Sequence, residues 1–199
     1  MSRAEHWDAV YGTQAPDDLS WFQREPVVSL RLLSAYSRPS AAVLDVGAGA
    51  SALGERLLEA GFTDLTLLDV SQTALAAVRG RLGDRATYVT SDLLAWRPTR
   101  TYGAWHDRAV LHFLTDLDDQ ARYVGLAAEA VEPGGVVVLG TFAEDGPESC
   151  SGLPTTRWSA EQLAERFEPV FVRVHEEREE HVTPGGAVQP FTWVVLRRA

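Results

Sequence analysis

The sequence lacks lysine, has a single cysteine and contains no long apolar run, and these absences exclude several kinds of protein. All 18 basic residues are arginine, which we interpret as a coding bias rather than a mechanism. Cys150 alone cannot form an internal disulfide or a zinc site with several cysteine ligands. No early stretch resembles a signal peptide and none is long enough to cross a bilayer, so we expect a cytoplasmic protein without membrane contact.

Positive charge is also scarce. The 28 acidic residues outnumber the basic ones and give a net charge of −10, with a pI of about 4.9. A chain of this charge repels a phosphate backbone, so we expect no nucleic-acid partner. Its 199 residues, 45% of them hydrophobic and 23% charged, are typical of one globular domain with a full core.

Strand and helix patterns alternate along most of the chain. Helices are predicted near residues 4–11, 27–36, 50–59, 72–82, 116–131 and 160–167. Strands are predicted near 41–46, 64–70, 86–90, 136–142, 170–178 and 190–197, the last two joined by a hairpin-like turn, and the segment 102–114 is predicted as the fourth strand running into a turn. The sequence therefore predicts an α/β fold, a doubly wound and mostly parallel seven-stranded sheet with an antiparallel last strand.

The most informative stretch is residues 41–54, which read AAVLDVGAGASALG. An apolar strand ends at Asp45, turns through Gly47 and Gly49, and leads into a helix. Glycine permits a tight turn and the close approach of a ligand. Gly47, Gly49 and Ala52 also satisfy the dinucleotide fingerprint G-x-G-x-x-G/A, so this motif alone leaves a nicotinamide-dependent oxidoreductase open.

The acid that precedes the glycines favours a different ligand. Asp45 would repel a pyrophosphate at this turn but would attract a cofactor that carries an ammonium group and no phosphate, such as S-adenosyl-L-methionine. Asp69 and Asp92 follow the next two strands. Because ligands of open α/β sheets lie outside the carboxyl ends of the strands, we expect the three acids to surround one pocket. Taken alone, Asp92 fits the position of a solvated loop acid or a helix cap as well as it fits a ligand contact.

The run LDVGAG at residues 44–49 resembles the first motif of class I S-adenosylmethionine-dependent methyltransferases. The resemblance implies a Rossmann-like methyltransferase fold and S-adenosyl-L-methionine as the cofactor. It also implies that Gly47 and Gly49 pass the methionine moiety, that Asp45 holds its amine directly or through water, and that Asp69 binds the ribose.

The same resemblance implies the remaining cofactor contacts. Val70 would accompany Asp69, Asp92 would accept a hydrogen bond from the adenine amine, and Leu93 would pack on the adenine ring. Trp21 lies in an aromatic N-terminal segment that we interpret as a lid, which packs on the core, closes over the cofactor to exclude water, or does both.

These expectations divide a single methyltransferase domain, residues 1–199, into three parts. Residues 1–38 would form the aromatic lid and its helices, and residues 39–142 the cofactor-binding core. Residues 143–199 would supply a substrate loop and a C-terminal hairpin. We expect a monomer or a weak dimer.

A second resemblance concerns the methyl acceptor. The segment WHDRAVL at 105–111 is similar to the fourth-strand motif of thiopurine- and tellurite-type small-molecule methyltransferases. The aromatic residues from Trp7 to Trp21 are similar to that group and to small lysine methyltransferases acting on elongation factors. No Asp/Asn-Pro-Pro-Tyr motif follows the fourth strand, which argues against methylation of nucleic-acid bases. The resemblance implies methyl transfer to a small-molecule acceptor by in-line displacement; a protein lysine as acceptor and a non-catalytic cofactor sensor stay open.

Two side chains are candidates for catalysis. His112, just beyond the fourth strand, is either a proton acceptor for an amine or hydroxyl substrate or a histidine that packs or caps a helical turn. Arg108 either steers an anionic substrate or pairs with Asp107 or another acid. Cys150, in the loop after the fifth strand, is either a contact for a soft substrate or an ordinary thiol. We predict no metal site.

Overall fold

The computed structural model describes residues 2–199 and forms one mixed α/β layer structure. The α-helices are α1 (Arg3–Thr13), α2 (Val27–Tyr36), α3 (Leu53–Glu59), α4 (Gln72–Leu82), α5 (Leu117–Ala130) and α6 (Ala160–Phe167). The main strands are β1 (Val43–Val46), β2 (Leu65–Asp69), β3 (Thr87–Thr90), β4 (Tyr102–Arg108), β5 (Val131–Phe142), β6 (Phe171–Val182) and β7 (Val188–Arg198). None of the helices within 2–199 is long and apolar enough to span a bilayer.

One seven-stranded sheet organises the molecule, with the strand order β3-β2-β1-β4-β5-β7-β6. Strands β1 to β5 pair in parallel, and β7 pairs antiparallel with both β5 and β6. The predicted fold class, including the antiparallel last strand, is confirmed. Because the parallel strands share one direction, the loops after β1, β2, β3 and β4 all open at the same edge of the sheet.

Some element boundaries differ from the sequence prediction. Helix α3 begins at Leu53 instead of about residue 50, because Gly47 and Gly49 adopt positive φ angles of 63° and 53° and carry the chain across the strand end first. Strand β5 begins at Val131 instead of residue 136, and its pairing with β4 shifts register to absorb the turn residues 132–135. The predicted loop 143–157 contains a small hairpin of two-residue strands, Ser149–Cys150 and Leu153–Pro154.

Apolar residues fill both faces of the sheet. Trp105, Tyr123 and Phe167 are buried on one face, and Leu32 and Trp193 on the other. The capping residues behave as their types predict, since the Ser71 hydroxyl accepts from the Ala74 amide and begins α4. Helix α1, in contrast, has no fully buried residue. It lies outside the sheet core, where it contacts α4 and covers the strand ends.

Candidate active site

The glycine turn after β1 leaves no room for side chains. A Cβ added at Gly47 would lie 2.0 Å from Val110 Cγ2, and one at Gly49 would lie 2.4 Å from the Tyr11 hydroxyl. Both positions also have positive φ angles that other residues adopt at a cost. The turn is therefore pressed between the loop after β4 and helix α1, and glycine is required at both points.

Asp69, at the end of β2, is held by this turn. Its Oδ2 accepts a hydrogen bond from the Gly49 amide (2.8 Å), and its Oδ1 accepts one from the Ser71 amide (2.7 Å). Burial raises the pKa of this carboxyl group to about 6. An ionised carboxylate offers about four lone-pair positions, so two stay free for further donors, the number that a ribose diol supplies.

Asp92, after β3, lies at the other end of the same wall. Its Oδ1 accepts from the Leu94 amide at 2.9 Å, and its Oδ2 lies 3.4 Å from Arg3 Nη1 in helix α1. The adjacent Leu93 is buried with its side chain at the cavity surface. This arrangement combines an acceptor oxygen with an apolar surface, which are the two features that an adenine ring needs.

Asp45 does not face the main cavity, which corrects the expectation of three acids around one pocket. His106 Nδ1 donates to its Oδ1 at 2.7 Å, and His106 Nε2 lies 2.9 Å from the Ser29 hydroxyl. The reason is sheet register: Asp45 and His106 are direct partners on β1 and β4, so their side chains point to the same face, toward α2. Asp45 instead lines a smaller adjoining cavity, together with Gly49 and Ser51.

The main cavity has an empty volume of about 930 Å³, including its open mouth. It opens at the carboxyl ends of β1, β2, β3 and β4. Eight of the ten predicted site residues line it: Trp21, Gly47, Asp69, Val70, Asp92, Leu93, Arg108 and His112. The remaining two, Asp45 and Gly49, line the adjoining cavity, which shares Gly47, Trp21 and Arg108 with the main one. The two cavities thus lie side by side at the glycine turn.

The N-terminal aromatic residues lie over this cavity. The Trp7 ring lies edge-on to Trp21 (5.7 Å between centroids) and to Phe113 (5.3 Å). The Tyr11 ring lies 6.1 Å from Trp21, and burial together with Asp69 raises the pKa of its hydroxyl. Asp8 fastens α1 to α4, since its Oδ1 accepts from the Ser71 hydroxyl (2.7 Å) and the Thr73 amide (3.0 Å). The N-terminal aromatic residues therefore cover the cavity in this structure, and their role as a lid stays a prediction.

Arg108, the last residue of β4, points into the far end of the cavity. Its Nη1 donates to the Trp21 carbonyl at 3.0 Å, and its guanidinium carbon lies 4.6 Å above the centre of the Phe191 ring. Its Nε and Nη2 are buried and have no hydrogen-bond partner among residues 2–199. Burial lowers the pKa of the guanidinium to about 10, so it remains charged at neutral pH. The predicted pairing with Asp107 does not form.

His112 is fully buried beside Arg108. Its ring stacks on Phe142 with centroids 4.4 Å apart, and within the described part of the chain neither ring nitrogen has a hydrogen-bond partner. Burial and the charge of Arg108 lower the pKa of the imidazole to about 3. The histidine is therefore neutral at physiological pH, with one nitrogen able to accept a proton or hydrogen bond and the other able to donate.

Several cavity residues were not identified from the sequence. Phe142 and Phe191 pair in register at the ends of β5 and β7 and form the apolar wall opposite Asp69. In the sequence they resemble ordinary core residues of strands, and only sheet order places them here. Arg3 carried no signal, because an arginine in the first turn of an exposed helix is usually solvated. Cys150, in contrast, reaches the cavity as its loop position suggested.

Asp107 has a structural role that the sequence did not reveal. Its carboxylate accepts from the Val110 amide (2.8 Å), the Leu111 amide (3.1 Å) and the Tyr123 hydroxyl (2.6 Å). These bonds hold the loop after β4, which carries Val110 against Gly47 and places His112 in the cavity. Asp107 therefore holds the loop after β4 in place without lining the cavity itself.

Comparison with known proteins is consistent with this geometry. Residues 43–135 match the model of a family described as a methyltransferase domain. Nodulation protein S of Rhizobium tropici is 30% identical over 122 residues, which is 60% of this chain and 51% of that protein. The matched region thus spans about half the length of that curated relative.

Solved structures resemble the fold over nearly the whole chain. The Burkholderia thailandensis 1,6-didemethyltoxoflavin-N1-methyltransferase, with bound 1,6-didemethyltoxoflavin and S-adenosylhomocysteine, has a TM-score of 0.74 at 20% identity, covering 98% of this chain and 84% of that one. The N-methyltransferase NodS of Bradyrhizobium japonicum WM9, in complex with S-adenosyl-L-homocysteine, has a TM-score of 0.75 at 16% identity, covering 97% and 98%. These likenesses establish the fold, and they agree with the match of residues 43–135 to a methyltransferase domain.

Proposed function

We propose that this protein transfers the methyl group of S-adenosyl-L-methionine to a small-molecule acceptor. The observation that carries the proposal is the position of Asp69. The Gly49 and Ser71 amides hold its carboxylate at one wall of a cavity that N-terminal aromatic residues cover, and Phe142 and Phe191 line the far end together with Arg108 and His112. Such a cavity suits a nucleoside at one end and a separate small molecule at the other.

The cofactor half is assigned by its polar groups. Asp69 would accept from the ribose hydroxyls with its two free lone-pair positions, and Val70 would lie beside the sugar. Asp92 would accept from the adenine amine while Leu93 packs on the ring. The methionine moiety would pass Gly47 toward the adjoining cavity, where Asp45 supplies negative charge opposite an ammonium group.

These acids argue against the alternative of a nicotinamide dinucleotide. A pyrophosphate at the glycine turn would lie between Asp69 and Asp45, two carboxylates close enough for Asp45 to raise the pKa of Asp69. Electrostatic repulsion from both would oppose its binding. A phosphate-free, positively charged nucleoside avoids that repulsion.

The bound cofactor would supply an electrophilic methyl group on a sulfonium, and the protein has to position and enclose the reactants. In-line displacement forms a bond from the acceptor atom to the methyl carbon as the carbon–sulfur bond breaks, and the electron pair of that bond leaves with the sulfur. Trp7, Tyr11 and Trp21 exclude water from above. His112 is neutral and its low pKa makes it a weak base, so orientation rather than proton removal is its proposed role. An amine acceptor would donate a hydrogen bond to it, keep the proton through the transfer and release it to water with the product. A hydroxyl acceptor would enter as its anion and accept a hydrogen bond from the imidazole N–H.

The enclosed cavity favours a small acceptor over a protein lysine. Trp7 packs on Phe113 across the cavity mouth, and an extended polypeptide would require this contact to open. A protein lysine therefore stays the second candidate acceptor. Cytoplasmic location and a monomeric or weakly dimeric state stay predictions.

Two measurements test the proposal. Isothermal titration with S-adenosylhomocysteine should give saturable binding in the micromolar range, and a titration with reduced nicotinamide dinucleotide should give none. Incubation of a small-solute extract with methyl-labelled cofactor should then transfer label to solutes of low mass. Absence of any S-adenosylhomocysteine binding would contradict the cofactor assignment, and label confined to a protein band would favour the lysine acceptor. Binding without transfer to any acceptor would favour a cofactor sensor.

A further inference from the structure

The far end of the cavity contains a positive charge that the protein does not neutralise. Arg108 forms none of the ion pairs observed within residues 2–199, and its Nε and Nη2 are buried without partners. A buried guanidinium that lacks a counter-ion and hydrogen-bond acceptors is unfavourable in a dry site. A bound ligand that supplies both would relieve this cost.

Glu179 is the carboxylate with the largest electrostatic effect on Arg108, and it already accepts hydrogen bonds from other groups. Glu179 raises the pKa of Arg108 through its charge, but its oxygens bind other groups. Its Oε1 accepts from Gln23 Nε2 at 2.7 Å, and its Oε2 accepts from Trp193 Nε1 at 2.8 Å. Glu179 thus contributes negative charge near Arg108 but accepts no hydrogen bond from the guanidinium. Nε and Nη2 of Arg108 are left for a ligand.

The position of the guanidinium separates it from the cofactor acids. It lies over Phe191 on β7 and next to His112, on the side of the sheet formed by β5 and β7. Asp69 and Asp92 follow β2 and β3, on the opposite side of β1. Arg108 borders both cavities, and its position over Phe191 and beside His112 assigns the free nitrogens to the end where the acceptor would bind.

The surroundings also restrict the shape of the ligand. Phe113, Phe142 and Phe191 line this end, and the His112 ring stacks on Phe142 at an interplanar angle of 30°. Aromatic walls of this kind bind flat rings by stacking and edge contacts. A flat ligand would also leave the planar guanidinium fork free to bind a carboxylate or similar group with two parallel hydrogen bonds.

We propose that the methyl acceptor is a planar small molecule with a negatively charged group, and that Arg108 Nε and Nη2 bind that group. The inference rests on the proposed methyltransferase function and specifies its substrate class. Arg108 acts as a specificity-determining residue, because a neutral analogue of the acceptor would leave its charge buried and unpaired. His112 lines the same end of the cavity and would form a hydrogen bond with a polar atom of the acceptor ring.

Calorimetry with a matched pair of probes tests this proposal. Protein saturated with S-adenosylhomocysteine is titrated with 2-hydroxybenzoate and, separately, with the neutral 2-hydroxybenzamide. The acid should bind at least about tenfold more tightly than the amide, because one charge-assisted hydrogen-bonded contact is lost with the amide. Arg108→Met, which keeps the length of the side chain but removes the charge, should abolish this preference. The control Arg79→Gln, at a side chain that is 64% exposed, should keep it.

The same variants distinguish the other outcomes. S-adenosylhomocysteine affinity should change by no more than about twofold in Arg108→Met, since the guanidinium is assigned to the acceptor. A loss above about tenfold with the acid preference retained would show that Arg108 holds the cofactor carboxylate, and would overturn the proposal. Equal binding of acid and amide, or no saturable binding of the acid, would also overturn it.

Two further arms keep the test decisive. If Arg108→Met did not fold, Arg108→Lys would replace it; a point charge without the planar fork should reduce the acid preference several-fold without abolishing it. If S-adenosylhomocysteine did not bind the wild type at all, the proposed function would fail, and the probes would be titrated into the free protein. An acid preference lost in Arg108→Met would then still establish an anion site.

Discussion

The two halves of the cavity differ in how many of their polar groups are hydrogen-bonded by the protein itself. We call the end with Asp69 and Asp92 the cofactor half and the end with Arg108 and His112 the acceptor half, after their proposed ligands. In the cofactor half, Asp69 accepts two backbone hydrogen bonds and Asp92 accepts one, so each acid is oriented before a ligand arrives. In the acceptor half, Arg108 has two unpartnered nitrogens and His112 has two more, as judged over residues 2–199. The first half is preorganised by the backbone, and the second depends on its ligand for hydrogen bonds.

This difference indicates how the site divides its tasks. Backbone amides hold the acids in a fixed geometry, which would favour a single cofactor. Unsatisfied buried groups penalise any acceptor that fails to pair with them, which provides discrimination at the cost of stability in the empty protein. Four predictions follow from this contrast, and each would weaken or sharpen it.

The largest effect is expected for Asp69→Ala. This change removes the acceptor for the Gly49 and Ser71 amides together with the proposed ribose contact. Hydrogen bonds to a charged group contribute ~1.5–3 kcal/mol each, so we expect S-adenosylhomocysteine to bind about a hundredfold more weakly by calorimetry. Asp84→Ala, at a side chain that is 99% exposed, is the matched control and should bind normally. Unchanged affinity in a folded Asp69→Ala protein would contradict the cofactor assignment.

An intermediate effect is expected in the pH dependence of stability. The pKa of His112 is lowered to about 3 in the folded state, so between that value and about 6.5 only the unfolded chain takes up the proton. The stability contributed by neutral His112 is therefore present above pH 6.5 and is lost as the pH falls. Going from pH 7 to pH 5, the wild type should lose ~2 kcal/mol that His112→Asn does not lose.

Asp69 should show the opposite trend. Its folded pKa is raised to about 6, so the folded state retains the proton between about pH 4 and 6 while the unfolded chain releases it. Its contribution is greatest at low pH and falls as the pH rises through that window. Urea denaturation of wild type, His112→Asn and Asp69→Asn at several pH values measures both trends. Parallel curves for the wild type and His112→Asn would show that the imidazole is not buried in its neutral form.

The smallest effect is expected for Arg3→Gln. Its guanidinium pairs with Asp92 at 3.4 Å and with Asp119 at 3.0 Å, but the Arg3 and Asp92 side chains are 46% and 36% exposed. Exposed pairs of this kind contribute ~0–1 kcal/mol, so S-adenosylhomocysteine affinity should change by less than about fivefold. A loss as large as that of Asp69→Ala would show instead that Arg3 contacts the cofactor directly.

The sequence predicted the cofactor half better than the acceptor half, for a physical reason. Gly47, Gly49 and Asp69 lie in short loops whose geometry is local, so strand, glycine and acid patterns are sufficient to place them. The expectation that Asp45 shares one pocket with Asp69 and Asp92 was wrong, because the direction of its side chain depends on register with His106 on a neighbouring strand. Phe142, Phe191 and the unpaired state of Arg108 arise from the pairing of β5 with β7 across about 50 residues of chain, which no local pattern encodes.

The roles of individual residues stay predictions, even where the structure places them at the cavity. The lid is the clearest case. Trp7 and Tyr11 belong to the helix that the sequence predicts near residues 4–11, and they lie over the strand ends. The hydrogen bond from the Ser71 hydroxyl to Asp8 makes movement of α1 during turnover accessible to measurement.

The thiol of Cys150 gives a single site at which the acceptor half can be labelled covalently. It is the single cysteine of the chain, it is buried, and it lines the main cavity near Arg108. Burial raises its pKa, which slows its reaction with small electrophiles. Because the chain has no other cysteine, disulfide-forming fragments would attach at Cys150 alone. Mass spectrometry of the fragments retained at equilibrium would then show which chemical shapes this end of the cavity selects.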